Sequence, residues 1–301
     1  MRVVSLLPSA TEILFAVGAG DQIVAVTHEC DHPAAARQLP AITSSAIDQH
    51  GMTCAEIDRH VKRALHEGSS LYHLNHDLLA ELRPDLIVTQ ELCEVCAVSY
   101  REVCSAARVL SGTPDVLSLE PASIEDILVS MLTVGERTGC APQARAAVVG
   151  LRDRLARVAG RRPPLRRRVV CIEWTDPLMV GGHWVPEMVE LAGGVDVLGT
   201  AGVPSRWVDA ETIAAAAPDV VVLMPCGYDL AGSTAIGEAL LAAAPPWLGD
   251  AALVAVDGSA FFNRPGPRII DGLELLVDVL HGDAQPDGGA ARWLKLPPVR
   301  A

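Results

Sequence analysis

The sequence predicts an α/β protein: two Rossmann-like lobes joined by a long connector helix, with a ligand cleft between the lobes. Three observations predict it. Short β-branched runs alternate with helical segments in two sets: VVSLL, QIVAV, DLIVTQ and DVLSL before Glu120, then VVCIEW, VVVLM and ALVAVD after Arg166. Between the sets lies a stretch of helical period, PASIEDILVSMLTVGERTG onward, broken only near Gly139 to Pro142. Finally, NHDLLAELRPDLIVTQ (residues 75–90) aligns without a gap with DAETIAAAAPDVVVLM (residues 209–224), so the lobes read as two copies of one design. These features set an N-terminal lobe at residues 1–119, a connector at 120–160, a C-terminal lobe at 161–283 and a tail at 284–301.

Each element has a local reason. RVVSLL reads as the first strand, PSAT as a tight turn, and TEILFAVGA as a helix closed by Gly20. In the repeated unit Asn75 and Asp209 are cap residues, an acid stands two residues later, Pro-Asp ends the helix, and a buried strand comes next. Arg2-Val3-Val4 matches Arg168-Val169-Val170, and GAGD at the end of the next helix matches GGVD. Residues 44–74 form an insertion-like stretch that holds a further helix. The basic run RDRLARVAGRRPPLRRR ends the connector, where arginines suit the helix dipole and solvent.

Composition narrows the function. With 301 residues, 50% of them hydrophobic, the chain buries a large core. Its formal charge of -13 argues against a nucleic-acid or anionic-membrane surface, which needs a basic footprint. No apolar run is long enough to span a bilayer, and Pro8, Ser9, Thr11 and Glu12 interrupt what would be a signal-peptide core. The expectation is a cytoplasmic protein whose eight cysteines are thiols, metal ligands or core residues. No nucleophile elbow or phosphate-binding glycine loop is present, and the reading is a binder, not an enzyme.

Open parallel sheets bind ligands beyond the carboxyl ends of their strands. The loops at those ends are therefore candidate sites: Pro8 and Ser9, then His28 to His32 with Glu29 and Cys30, and Glu91 to Cys96 in the first lobe; Trp174, Tyr228, Phe261, Phe262 and Arg264 in the second, with Trp184 and Trp207 nearby. Aromatics are scarce in this chain and concentrate in these loops, as anchors for a ligand or as lids on the core. Cys30 and the Cys93/Cys96 pair come after strands of one lobe, so they read as a zinc, iron or iron-sulfur site completed by His28 or His32, as a redox pair, or as small hydrophobes in loops. His60, His66, His73 and His76 do not repeat on one helix face and read as surface residues.

SLLPSATEILFAVG, LLAELRPDLIV, MVGGHWVPEMVELAGG, SRWVDAETIAAAAPDVVV and FFNRPGPR, in this order, resemble the substrate-binding proteins of ABC uptake systems whose lobes are joined by one rigid helix, most closely the cobalamin-binding branch. The resemblance implies a corrinoid, cobalamin-like, or related metal-tetrapyrrole ligand held between the lobes by residues at the positions of Pro8, Glu29, Trp174, Trp207, Phe261, Phe262 and Arg264. It also implies that Asp77 and Glu211 sit on the lobe tips and engage arginines of an ABC permease; in a cytoplasmic protein they would be first-turn helix acids alone. Members of that family are periplasmic or lipid-anchored. The alternative is a cytoplasmic metalloprotein or redox enzyme working through Cys30, Cys93 and Cys96.

Overall fold

In the computed structural model the first strand, β1 (Val3–Ser5), runs almost directly into helix α1 (Pro8–Ala16). The expected PSAT turn is instead the first helical turn. Pro8 occupies an opening position whose N–H would have no partner, and its fixed φ suits the helix. The helix closes at Gly18, two residues before the expected Gly20: Gly18 sits at φ 82°, donates to Phe15 O at 3.1 Å, and lets Ala19 donate to Leu14 O at 2.8 Å.

The structure describes residues 1–47, 51–67, 71–90, 100–109, 114–160, 166–281 and 289–296. They divide into two units, Met1–Pro121 with Glu125–Gly150, and Ala122–Ile124 with Leu151–Ala301.

In the first unit the next elements are β2 (Ile23–Ala25), β3 (Thr43–Ser45), α2 (Cys54–Glu67), β4 (Tyr72–Leu74), α3 (His76–Leu82), β5 (Leu86–Thr89), α4 (Tyr100–Val109), β6 (Asp115–Ser118) and α5 (Ile124–Arg137). Its sheet is all parallel, in the order β2-β1-β5-β6. Leu6, Val4 and Ile87 pack with Leu79 of α3 and Val103 of α4 to form its core. The insertion-like stretch is a helix carried on a ribbon: β3 pairs antiparallel with β4, Thr43 opposite Leu74, and α2 begins with a reciprocal cap in which Thr53 N donates to Glu56 and Glu56 N donates to Thr53 Oγ1. The connector is two helices, α5 and α6 (Ala141–Ala159), parted at Gly139, φ 74°. The division between the units falls inside α6.

The second unit holds β7 (Arg168–Thr175), β8 (Leu178–Val180), α7 (Val185–Leu191), β9 (Val195–Asp196), β10 (Arg206–Trp207), α8 (Ala210–Ala216), β11 (Val220–Leu223), α9 (Leu230–Ala243), β12 (Ala252–Val256), α10 (Gly258–Phe261), α11 (Ile269–His281) and β13 (Ala291–Lys295). Its parallel strands run β9-β7-β11-β12, the order of the first unit's sheet. Two additions distinguish it. β8 and β10 extend one edge antiparallel, and β13, in residues expected to be a tail, closes the other against β12. Trp293 of β13 is buried, and Leu294 fills the space beside Gly237, where a Cβ would lie 2.2 Å from it.

The sequence repeat is a structural repeat in its details. Asn75 accepts from Leu78 N and Asp209 from Thr212 N, each capping a seven-residue helix. Both helices end on a left-handed residue, Arg83 at φ 43° and Ala217 at φ 43°, before Pro-Asp turns the chain into the next strand. Helix α7 also ends as α1 does, with Gly193 at φ 84° and Gly194 N donating to Val189 O at 2.9 Å.

Candidate functional site

The carboxyl end of β7 is where the second unit departs from a plain parallel sheet. The first residues of β7 pair with β9, and the last fold back through the two residues Asp176-Pro177 to pair with β8. The register shifts between Ile172 and Trp174, so that Ile172 faces Val180 while Trp174 faces Met179, one residue short of the regular count. Such a bulge reverses the alternation of faces. Ile172, Val180 and Leu178 belong to the core packed under α8, and Trp174 and Met179 lie on the opposite face. β10 adds Trp207 directly across from Met179. Residues opposite one another in a ladder share a face. Trp174, Met179 and Trp207 therefore form a row across three strands, with Trp207 52% exposed and the other two partly exposed.

Further strand ends adjoin this row. Tyr228, in the loop after β11, has its ring 6.2 Å from that of Trp174, and Cys226 N donates to Glu173 O at 3.1 Å. Trp174 Nε1 donates to Asp176 O, which fixes the indole. Ser259 N, at the start of α10 after β12, donates to Tyr228 O at 3.0 Å. Phe261 ends α10 partly exposed, with the Arg268 guanidinium 5.8 Å from its ring centroid. Three consecutive strand ends are tied into one surface. Asp257 caps α10 by accepting from Ala260 N, and burial holds its carboxyl above the ordinary range in spite of that bond.

Two expected ligand contacts are core residues. Phe262 is fully buried, and Trp184 is buried with Nε1 donating to Phe262 O at 2.8 Å, so this pair braces α7 against the segment after α10 from within. Arg264 is partly exposed in that segment. His183, beside Trp184, takes a left-handed φ of 51°, and burial lowers the pKa of its ring.

The first unit has its own cluster beyond β1 and β2. Pro8 is partly exposed and Ser9 is buried. Thr11 Oγ1 lies 3.1 Å from Cys30 Sγ and donates to Ser5 Oγ at 2.8 Å, while Thr27 Oγ1 lies 3.1 Å from the same sulfur. Cys30 is thus a buried thiol between two hydroxyls. Cys93 and Cys96 lie outside the described residues, and among the described residues there is no group of three or more His, Cys, Asp or Glu arranged to hold a metal ion. His28 and Glu29 are exposed; His28 Nδ1 lies 2.8 Å from Thr43 Oγ1 on β3, with the Tyr72 ring of β4 5.8 Å away. Asp77 and Glu211 are exposed, each the second residue of its capped helix, in the same place in each unit.

Met179 opens the stretch MVGGHWVPEMVELAGG, but no residue type there marks it as part of the row. It sits in the short run LMV between two loops, and only the bulge, which no residue type announces, turns it toward the tryptophans.

The profile of a family described as periplasmic binding protein matches residues 3–247. A vitamin B12-binding protein of Vibrio cholerae is 25% identical over 294 residues, covering 93% of this chain and 88% of its own. Among solved structures, a periplasmic vitamin B12 binding protein of Vibrio cholerae matches with a TM-score of 0.64 at 22% identity, over 93% of this chain and 96% of its own. A periplasmic heme binding protein of the same organism matches with a TM-score of 0.69 at 17% identity, over 93% and 99%. These findings overturn the expectation of a cytoplasmic protein, which rests on an interrupted apolar run at the N-terminus. No helix among the described residues is long and apolar enough to cross a membrane.

Proposed function

Because the chain belongs to the periplasmic binding protein family, we propose that it is the binding component of an uptake system and takes a corrinoid or a related metal tetrapyrrole. The observation that carries this reading is the row Trp174–Met179–Trp207 flanked by Tyr228. Adjacent strands lie about 4.8 Å apart, so the row spans about 10 Å, the breadth of a macrocycle. Indole faces bind such a ring by stacking and by the apolar area they cover. Phe261 and Tyr228 extend the surface. The vitamin B12-binding and heme-binding relatives support the ligand class. Binding, not catalysis, is the activity. Asp77 and Glu211, exposed at matching places of the repeat, are proposed to dock an ABC permease through its arginines.

Titration with cobalamin, cobinamide and hemin, monitored by calorimetry and absorption, tests the ligand class. One equivalent bound per chain is expected for at least one of them. Trp174→Ala with Trp207→Ala should weaken binding by about 1–4 kcal/mol, as for truncated aromatic anchors. No heat or spectral change with any of the three would refute it.

A further inference from the structure

We propose that Met179 is the protein's axial ligand to the metal of the bound tetrapyrrole, and that the site therefore prefers a macrocycle whose metal presents an open or water-filled axial position, such as an iron porphyrin or a base-free corrinoid, to cyanocobalamin. This rests on the tetrapyrrole reading and adds to it the residue that sorts among its members.

The placement is the argument. Met179 is the common ladder neighbour of both tryptophans: its Cα lies opposite that of Trp174 in one strand and opposite that of Trp207 in the other. A flat ring that covers both tryptophans is therefore centred over the thioether, and the centre of a tetrapyrrole is its metal. Leu178 and Val180, its neighbours in β8, pack with the core, while the Met179 side chain stands on the other face and stays partly exposed. Thioether sulfur is a soft donor that binds haem iron, and an unbranched side chain with three rotatable bonds reaches the metal without moving the strand. No proton needs to leave: the sulfur lone pair fills an empty axial position or displaces water, and the metal keeps its oxidation state. Cyanocobalamin carries a tethered base on one face of cobalt and a tightly held cyanide on the other, so neither face offers that position.

The experiment is a spectroscopic titration of the full chain with ferric hemin, aquacobinamide and cyanocobalamin, on the parent, Met179→Leu and Met179→His. Leucine keeps the volume and apolar surface of the row, so it separates ligation from stacking and leaves the fold in place. The parent is expected to bind hemin or aquacobinamide with a thioether-ligated spectrum, at least tenfold more tightly than cyanocobalamin. Met179→Leu should lose that spectrum and bind several-fold more weakly, and Met179→His should restore a six-coordinate spectrum of imidazole type. If the parent binds an open-faced tetrapyrrole and Met179→Leu leaves its spectrum unchanged, the ligation is refuted while the tetrapyrrole reading stands. Cyanocobalamin binding as tightly as the open-faced compounds refutes the preference in the same way. If none of the three binds, the tetrapyrrole reading itself falls, and this inference with it.

Discussion

The Asp219 carboxylate accepts the backbone N–H of Arg168 at 2.8 Å, and the side chain of Arg168 returns to the last carbonyls of α8, Ala216 O and Ala217 O. The first unit repeats the exchange: Asp85 accepts from Arg2 N at 2.7 Å, and Arg2 Nε donates to Leu82 O at the end of α3. The Pro-Asp that ends each helix thus clamps it to the first strand of its unit, and the arginine covers carbonyls that the helix leaves without partners. Asp219→Ala and Asp85→Ala should each cost about 1 kcal/mol, the net worth of one hydrogen bond near the surface. Urea unfolding checks this, and equal losses at the two sites are the specific expectation.

Asp196 accepts from Leu198 N and Gly199 N through Oδ1, while Oδ2 is buried without a partner. Burial outweighs the two amide bonds and raises its pKa. Between the unfolded and the folded pKa the folded state holds more protons, so stability falls as pH rises through that window and stays low above it. Asp196→Asn should therefore be more stable than the parent at neutral pH, and the difference should vanish as pH falls through the ordinary carboxylate range. Melting temperatures across that range measure it.

Gly182 approaches the backbone of the 203–205 segment so closely that a Cβ would lie 2.4 Å from Ser205 N and from Val203 O. Backbone atoms cannot swing aside as a side-chain end can. Gly182→Ala should cost about 1–3 kcal/mol by overpacking and, by displacing the segment that leads into β10, move Trp207 out of register with Met179. Weaker ligand binding together with a lower unfolding midpoint is the expected result.

Trp184→Phe keeps an aromatic ring and removes the donor to Phe262 O. A buried carbonyl left without its partner costs about 1–3 kcal/mol. Because Trp184 and Phe262 are buried and not part of the proposed ligand surface, the loss should appear in stability with little change in ligand affinity, which calorimetry and thermal unfolding distinguish.

Asp77→Lys with Glu211→Lys should leave ligand affinity as in the parent and abolish permease-dependent uptake of the ligand by cells. Uptake at the parent's rate would remove both acids from the docking role. Each acid also sits in the first turn of a helix, so a loss of about 0.3–1 kcal/mol of stability per reversal accompanies the change.

How much of this is legible in the chain differs by element. The Pro-Asp repeat is legible because helix cap, helix stop and buried strand each need particular residue types at fixed spacing, and Asn75 to Gln90 and Asp209 to Met224 both supply them. The tryptophans of the row stand out in the sequence as aromatics near strand ends, although Trp174 and Trp207 lie within β7 and β10 and not in loops. Phe262 is not, because neighbouring Phe261 and Phe262 look alike in sequence, and only the close of α10 sends one outward and the other into the core. The strand β13 is hidden because ARWLK is short and rich in charge; its pairing with β12 supplies what its composition does not. Met179 is hidden by a shift of register, which depends on the partner strand more than on the residue.

The bulge in β7 makes the proposed ligand surface a matter of parity. Whether the residue at the strand's end serves the interior or the exterior depends on whether the number of positions after Ile172 is odd or even, not on what those residues are. A relative that gained or lost one residue there would expose a different side chain while keeping its tryptophan, and two chains with the same aromatics could recognise different molecules. Comparisons within the family should therefore match the count of residues from Cys171 to the turn at Asp176 before they match the letters.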